Sequence, residues 1–195
     1  MVSWILRAVY LALSRFESII ASTQGHLILW LDEMAPDQLP MCSAMCSIRD
    51  YQRSDCNACL GIFASNTPQF FGAGEQPDFV DFLERLPCPY LVAEVAGVVV
   101  GCGGYDRVPG ERTAELVWGM VARDQHRLGI GTALVQARLE RLAAEPEIEG
   151  VRIDTSQWTA AFYERFGFRL EKIVENHFAE GLHQYQMVLS LRVGG

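Results

Sequence analysis

Apolar residues form a short, nearly unbroken run near the middle of the chain. Residues 115–121 contain the apolar side chains Leu116, Val117, Trp118, Met120 and Val121. A run of this length is typical of a strand that is buried on both faces. A mostly polar segment, residues 122–128, follows it. Helical spacing comes next, with steps of seven, four and three residues between Leu128, Val135, Leu139 and Leu142. The pattern predicts a strand, a polar loop and a helix whose start is marked by Gly129 and Gly131.

The hydrophobic pattern from Ile48 onward predicts a single α/β unit with no internal repeat and no linker. Helices are expected over residues 55–63, from residue 77 and after residue 156. Strands are expected over residues 89–96 and 98–105, joined as a hairpin at Gly97, and over residues 151–154, 168–174 and 184–191. In the last helix, the expected buried face consists of Trp158, Phe162 and Phe166, and Gly167 is expected to end the helix.

The N-terminal part, residues 1–46, is predicted to be a helical extension of a domain that spans residues 47–195. Its amphipathic stripe consists of Ile5, Val9, Leu13, Phe16 and Ile20. Charged residues interrupt this segment, so no run approaches the ~18 apolar residues of a membrane span. The same charges argue against a signal peptide. Three interpretations stay open: a helix that docks on a membrane or partner, a helix that packs on its own domain, and a natural start at Met41 or Met45.

Length and charge narrow the classes of function. The chain has 195 residues, 50% of them apolar, which is enough for one domain with a core. A net charge of −8 and a pI near 5.0, without any basic run, argue against a nucleic-acid-binding surface. A mild acidic excess suits a cationic amine as substrate.

The chain contains six cysteines, and Cys56 and Cys59 have the spacing of a metal or redox pair. No histidine or second CxxC motif lies nearby at zinc spacing. On the predicted helix these two residues merely share a face. We therefore expect structural thiols, no bound metal, and the reducing conditions of a cytoplasm.

Gly129 and Gly131 at a helix start indicate a binding site for an anionic phosphate group. Glycine lets a ligand approach the backbone closely, and the first-turn amides have no partners within the helix. The helix dipole adds roughly half a positive charge. A dinucleotide fingerprint would need a third glycine where Leu134 stands, and a Walker loop would need a lysine before Thr132. A simple turn before a helix is the alternative interpretation.

Two motifs resemble the GNAT superfamily of N-acetyltransferases. The segment His126-Arg127-Leu128-Gly129-Ile130-Gly131 resembles the acyl-CoA loop Gln/Arg-x-x-Gly-x-Gly/Ala, with His126 at the position where Gln or Arg is usual. Residues 156–168 resemble the later segment Asn-x-x-Ala-x-x-x-Tyr-x-x-x-Gly-Phe, with Ser156 and Thr159 in place of Asn and Ala. The resemblance covers about residues 47–191. It implies the α/β GNAT fold, a mixed central sheet of six to seven strands flanked by about four helices, here with an extra N-terminal helical segment.

The resemblance also implies acetyl-CoA as cosubstrate, bound mainly through backbone amides. In the family, the central strand separates from its neighbour and offers amides to the pantetheine and the thioester carbonyl. The implied cofactor-binding residues are Gly119, Met120, Val121, His126, Arg127, Leu128, Gly129, Ile130, Gly131, Thr132 and Ser156. For Ser156 the alternative is an N-cap of the following helix, and for Arg127 it is a solvated side chain.

Glu115 is the candidate general base. It lies fourteen residues before Gly129, which is similar to the spacing at which histone acetyltransferases of this superfamily place their glutamate. The alternatives are a surface carboxylate paired with Arg112 or Arg123, and a reaction that uses a water relay instead.

Tyr163 occupies the position of the family tyrosine and is the implied proton donor to the sulfur of coenzyme A. It lies about 100° around the helix from Phe162, so it is expected to point out of the core. An ordinary packing tyrosine is the alternative. Phe70 and Phe71 belong to the loop that shapes the acceptor pocket in relatives, where an aromatic ring can contact an amine; core packing is their alternative role.

Together these features predict a cytoplasmic N-acetyltransferase that moves acetyl from acetyl-CoA to a primary amine without a covalent enzyme intermediate. The alternative function is a catalytically silent sensor or regulatory module that binds coenzyme A. The expected partners are a small-molecule or peptide amine and, in one interpretation, a second copy of the chain as a homodimer. Neither nucleic acid nor a membrane is expected as a partner. The acceptor amine stays open.

Overall fold

The computed structural model describes residues 46–192, so the predicted N-terminal helix lies outside the described residues. Seven strands form one mixed sheet: β1 (Cys46–Asp50), β2 (Tyr90–Val95), β3 (Val98–Arg107), β4 (Thr113–Val121), β5 (Gly150–Ser156), β6 (Arg169–Ala179) and β7 (Leu182–Ser190). Their order is β1-β2-β3-β4-β5-β7-β6. Only β4 and β5 pair in parallel, and every other pairing is antiparallel.

Four α-helices among the described residues pack on the two faces of the sheet. They are α1 (Cys56–Asn66), α2 (Gln76–Arg85), α3 (Ile130–Ala143) and α4 (Ala160–Glu164). Helices α1 and α2 share one apolar cluster with residues of β2, β3 and β4. Helices α3 and α4 share another, which includes Leu116 of β4 and Ile153 of β5. The predicted α/β fold with six to seven strands is therefore confirmed.

Local sequence signals located most turns correctly. The β2–β3 hairpin turns at Ala96 and Gly97, which have φ of 50° and 80°. Two positive φ values at the centre of a two-residue turn match the twist of the flanking strands. Gly167, with a φ of 87°, follows α4 as expected.

Two residues that were predicted to lie on the buried face of a helix do not lie there. Leu128 is 39% exposed because α3 begins only at Ile130, so this leucine belongs to the loop. Trp158 is 59% exposed rather than buried. The cause is the length of β5, which extends to Ser156 and delays the start of α4 to Ala160. Trp158 therefore lies in a turn and not on a helix face.

The described part of the chain bears on three expectations about cysteines, metals and membranes. Four of its cysteines are free thiols, namely Cys56, Cys59, Cys88 and Cys102, and the last three of these are buried. Among residues 46–192, no group of three or more His, Cys, Asp or Glu side chains is arranged to hold a metal ion. No helix within the same residues is long and apolar enough to cross a membrane.

A buried carboxylate anchors the start of α1 to the sheet edge. Asp55 accepts two hydrogen bonds from Arg49, at 2.7 and 3.0 Å, and one from the backbone amide of Gln52 at 2.8 Å. Its side chain is only 8% exposed. The Arg49 guanidinium therefore holds the pKa of Asp55 below its ordinary value.

We expect Asp55→Asn to lower the free energy of unfolding at pH 7 by about 2 kcal/mol, which corresponds to a melting temperature lower by about 4–8 °C. A depressed folded-state pKa stabilises the fold above the ordinary aspartate pKa of ~3.9, and this contribution is lost as the pH falls through the folded-state value. Thermal unfolding at pH 7 and at stepwise lower pH, down to pH 3, should show that the melting temperatures of the wild-type protein and of Asp55→Asn converge as the pH falls. Asp81→Asn is the matched control, because its ion pair with Arg85 is exposed.

Candidate active site

The parallel strands β4 and β5 separate halfway along their length. Their register ends at the pair Leu116 and Ile153. Beyond this pair, β4 continues to Val121 and β5 continues to Ser156. One edge of β4 is therefore left without a neighbouring strand, and its backbone groups on that side are available to a ligand.

A bulge in β4 begins at this opening. The register between β3 and β4 shifts at Cys102–Gly104, and Trp118 has a φ of 46°, a costly conformation for a bulky residue. The carbonyl of Trp118 accepts a hydrogen bond from the hydroxyl of Tyr90 at 3.0 Å. The Trp118 ring packs against the α1–α2 cluster at Phe63, Phe71, Phe79 and Phe82. The bulge is thus held from one face of the sheet, and Phe71 is a core residue.

The end of β4 is fixed by two side chains. The carbonyl of Val121 accepts a hydrogen bond from Nδ2 of Asn66 at 2.8 Å and lies 2.9 Å from Nε2 of His126. The His126 ring also stacks edge-on against Phe70, with ring centroids 5.4 Å apart, and Arg123 lies over the same Phe70 ring at 5.8 Å. In this structure the His126 side chain therefore serves the loop between β4 and α3.

The first turn of α3 has the geometry of an anion-binding site. Arg127 and Gly129 have φ of 66° and 82°, and this left-handed pair turns the loop into the helix. Ile130 is buried, which leaves Gly131 and Thr132 on the partly exposed side. The fourteen-residue helix directs its dipole and its free amides outward at this end. An anionic phosphate group bound here would meet these amides.

A second arginine approaches this turn from α4. The ring of Phe162 lies against Gly131, since a methyl group built on the glycine would be 3.5 Å from Cζ of the ring. The guanidinium of Arg165 lies over the same ring at 5.7 Å. Arg165 thus brings positive charge to the side of the helix start. The side chain of Arg127, which was predicted to contact the cofactor, is exposed.

Glu115 lies before the opening, on a residue paired across β4 and β5 with Arg152. Its carboxylate forms an ion pair with that arginine at 3.2 Å and is 30% exposed. The alternative prediction, an ion pair of Glu115 with Arg112 or Arg123, is wrong. Arg112 forms an ion pair with Glu149, and Arg123 lies over the ring of Phe70. An ion pair this exposed contributes about 0–1 kcal/mol, so it leaves the carboxylate free to engage an amine.

Tyr163 faces the core, so the expectation that it points outward is wrong. It is 6% exposed, and its ring lies edge-on to Phe162 and Phe168 at 5.1 and 5.7 Å. Helix α4 has only five residues, and its sheet-facing side holds Ala160 and Tyr163. The hydroxyl makes no hydrogen bond with any described residue, yet it is not sealed from solvent.

Ser156 is the last residue of β5 and does not cap α4, whose N-cap position is Thr159. The cap interpretation is therefore wrong. Its hydroxyl lies 3.3 Å from Oγ1 of Thr159, which is 2.6 Å from Oγ1 of Thr155. These three hydroxyl groups form a polar cluster at the far end of β5, on the other side of the opening from β4.

The sequence interpretation did not identify three residues of this site, Tyr90, Asn66 and Arg165, or the buried Arg138 of α3. The hydrogen bonds of Tyr90 and Asn66 to β4 join residues 28 and 55 positions apart. No local pattern reports such contacts. Arg138, however, carries a visible signal, because it lies four residues from both Leu134 and Leu142 on the buried stripe of α3.

Three comparisons with known proteins agree with this architecture. The model of the acetyltransferase (GNAT) family matches residues 57–168. An N-alpha-acetyltransferase of Sulfurisphaera tokodaii is 30% identical over 140 residues, which cover 65% of this chain and 79% of that protein. The crystal structure of Ard1 from Thermoplasma volcanium superposes with a TM-score of 0.64 at 22% identity, covering 76% of this chain and 99% of that chain. An aminoglycoside 6'-N-acetyltransferase complexed with coenzyme A has a TM-score of 0.63 at 14% identity, covering 76% and 99%.

Proposed function

Because the chain belongs to the acetyltransferase (GNAT) family, we propose that it transfers acetyl from acetyl-CoA to a primary amine by direct attack of the amine on the thioester. The observation that carries this proposal is the opening between β4 and β5 beside the first turn of α3. The helix start suits the pyrophosphate, and the free edge of β4 suits the pantetheine arm and the thioester.

We further propose that the acceptor is the α-amino group of a peptide or protein. This class is supported by the name of the relative from Sulfurisphaera tokodaii, an N-alpha-acetyltransferase. Chemistry makes it the less demanding acceptor. An α-amine has a pKa of ~7.7–8.0, so the neutral form costs only about 1 kcal/mol at pH 7, against about 4.6 kcal/mol for a lysine-like amine with pKa ~10.4.

In the proposed reaction the amine nitrogen bonds to the thioester carbon while negative charge develops on the carbonyl oxygen. The backbone amides of Gly119 and Val121 are the proposed donors to that oxygen and to the pantetheine, because the amide of Met120, like that of Ala122, is directed to β3. Glu115 takes the proton from the amine, directly or through a water molecule. The bond to sulfur then breaks, and the thiolate leaves with the electron pair.

Direct attack without an acyl-enzyme is supported by the state of the thiols closest to the site. Cys102 pairs with Met120 across β3 and β4, but it is 0% exposed. Its neighbour Cys59 is equally buried, and hydrogen bonding to Cys102 together with burial raises the pKa of Cys59 above its ordinary value. A buried thiol of raised pKa is a poor nucleophile.

Tyr163→Phe should lower kcat by about tenfold while leaving the affinity for acetyl-CoA nearly unchanged. The phenol hydroxyl lacks a partner in the described fold, and a hydrogen bond to a charged group contributes about 1.5–3 kcal/mol. Because the sulfur becomes charged only late in the reaction, binding should not require this bond. Steady-state kinetics with calorimetric titration of acetyl-CoA separates the two effects. A wild-type kcat would make Tyr163 a packing residue.

A panel of short peptides tests the acceptor class. One peptide has a free N-terminus and no lysine, one has a blocked N-terminus and one lysine, and a polyamine serves as a small-molecule amine. We expect acetylation of the first peptide alone, measured by mass spectrometry of the products. Acetylation of the lysine peptide or the polyamine, with the first peptide unmodified, would replace the α-amine proposal while retaining acyl transfer.

A further inference from the structure

Arg138 is a buried cation without a charged partner. Its side chain extends from α3 toward the sheet and is 1% exposed. Nε donates a hydrogen bond to the carbonyl of Leu134 at 3.1 Å, and Nη1 donates a long one to the carbonyl of Gly104 at 3.4 Å. None of the ion pairs among residues 46–192 includes Arg138. The fold therefore holds a guanidinium group here without an acidic partner among the described residues.

The guanidinium of Arg138 lies against the bulge of β4 at the opening. A methyl group built on Gly119 would lie 3.0 Å from Nη1 and 3.2 Å from Nη2, and one built on Gly103 would lie 3.0 Å from Nη1. The two glycines therefore leave the space that the guanidinium fills. Gly119 comes after the last residue of β4 that pairs with β5, so the charge lies at the part of β4 whose edge is free.

The second terminal nitrogen of Arg138 has spare bonding capacity. Nη2 makes no hydrogen bond with any described residue, and it is not sealed from solvent. This nitrogen is therefore open to a ligand or to water at the opening. Its position and its charge both point to a negatively charged group in the opening.

Titratable groups near Arg138 do not neutralise it. On the sheet, burial raises the pKa of Tyr90 well above its ordinary value, and the Arg138 charge opposes that rise only as a minor contribution. Tyr90 therefore remains a neutral phenol, and its hydroxyl donates a hydrogen bond to the carbonyl of Trp118. Cys102 and Cys59 belong, with Tyr90, to the apolar cluster that the sheet shares with α1 and α2. Glu115 directs its carboxylate to Arg152.

We propose that Arg138 is a positioning residue that stabilises the negative charge formed during acyl transfer, acting across the Gly119 peptide on the thioester oxygen and the departing thiolate. A fixed, nearly buried charge acts on a developing charge and needs no rearrangement during the reaction. No bond to Arg138 forms or breaks. The amine gains the acetyl group, sulfur keeps the electron pair, and the amine proton goes to the base. This inference rests on the proposed acyl transfer.

The test measures the ionisation of the coenzyme A thiol when it is bound to the protein, which needs no turnover. The ultraviolet absorbance of the thiolate is recorded against pH for free coenzyme A and for its complex with the wild-type protein. Two neutral variants, Arg138→Gln and Arg138→Met, and the charge-conserving Arg138→Lys follow. Circular dichroism and thermal unfolding show which variants fold.

We expect the thiol pKa in the wild-type complex to lie at least about one unit below that of free coenzyme A. The neutral variants should return it most of the way to the free value, and Arg138→Lys should retain most of the shift. A purely structural arginine would change the melting temperature and leave the thiol pKa unmoved, which overturns the proposal. If neither neutral variant folds, the thiol pKa of coenzyme A in the wild-type complex decides the test. A thiol pKa equal to that of free coenzyme A overturns the proposal. A wild-type protein that binds no coenzyme A would instead contradict the proposed function.

Discussion

Gly131→Val is expected to weaken the binding of acetyl-CoA by at least about 100-fold and to remove measurable turnover. In the proposed complex, the pyrophosphate accepts hydrogen bonds from amides in the first turn of α3, and hydrogen bonds to charged groups contribute about 1.5–3 kcal/mol each. A branched side chain at this position holds the phosphate away from the amides. Gly131 is the cleaner position for this test, since Gly129 has a φ of 82° and any side chain there adds backbone strain.

The fold should tolerate the change at Gly131. A methyl group there would make an ordinary contact with Phe162, at 3.5 Å. The matched control is Gly61→Val in α1, where no atom lies within 4 Å of the added carbon.

His126→Ala should weaken the binding of acetyl-CoA only a few-fold, because the His126 ring contacts Val121 and Phe70. Calorimetric titration measures the affinity of all three variants for acetyl-CoA. Equal losses for His126→Ala and Gly131→Val would contradict binding through amides.

Glu115→Gln is expected to lower activity near pH 7, by about tenfold for an α-amine and by about 10³-fold for a lysine-like amine, and to recover as the pH rises. The glutamine cannot accept the amine proton, so the reaction then depends on the amine that solvent has already deprotonated. For an α-amine with pKa ~7.7–8.0, recovery should approach completion above about pH 8. For a lysine-like amine it should require a pH near 10. The pH–rate profile therefore also reports the class of acceptor.

Arg152→Gln is the control for Glu115→Gln. It removes the same ion pair, at 3.2 Å, but leaves the carboxylate in place. We expect this variant to keep the shape of the wild-type profile. If the profile of Glu115→Gln also keeps that shape, Glu115 is a surface partner of Arg152 and a water relay supplies the base.

Features encoded within one element were predicted well from sequence. The hairpin at Gly97 and the glycine start of α3 depend on neighbouring residues alone, and both are present in the structure. The strand over residues 115–121 falls within β4, which has the bounds Thr113–Val121. Hydrophobic periodicity also separated the chain into the observed α/β order.

Features that depend on distant pairing were not predicted. The partner of Glu115 is Arg152, 37 residues away, and the two meet only because β4 and β5 pair in parallel. The exposure of Trp158 and the burial of Tyr163 follow from where β5 ends, which local spacing does not report. The separation of β4 from β5 was implied by family resemblance and not by residue pattern. Arg138 was also not predicted, although its signal is visible in the sequence. It is a charged residue on the apolar stripe of α3, where charged residues are rarely fully buried.

Transfer itself is the most direct test of the account. The protein is mixed with acetyl-CoA and a peptide that has a free N-terminus, and free thiol and acetylated peptide are measured together over time. We predict that thiol release requires the peptide, that the two products form in equal amounts, and that acetyl-CoA alone gives no initial burst of thiol. A protein that binds acetyl-CoA but releases no thiol with any amine acceptor would contradict the account and would be a coenzyme A-binding sensor instead.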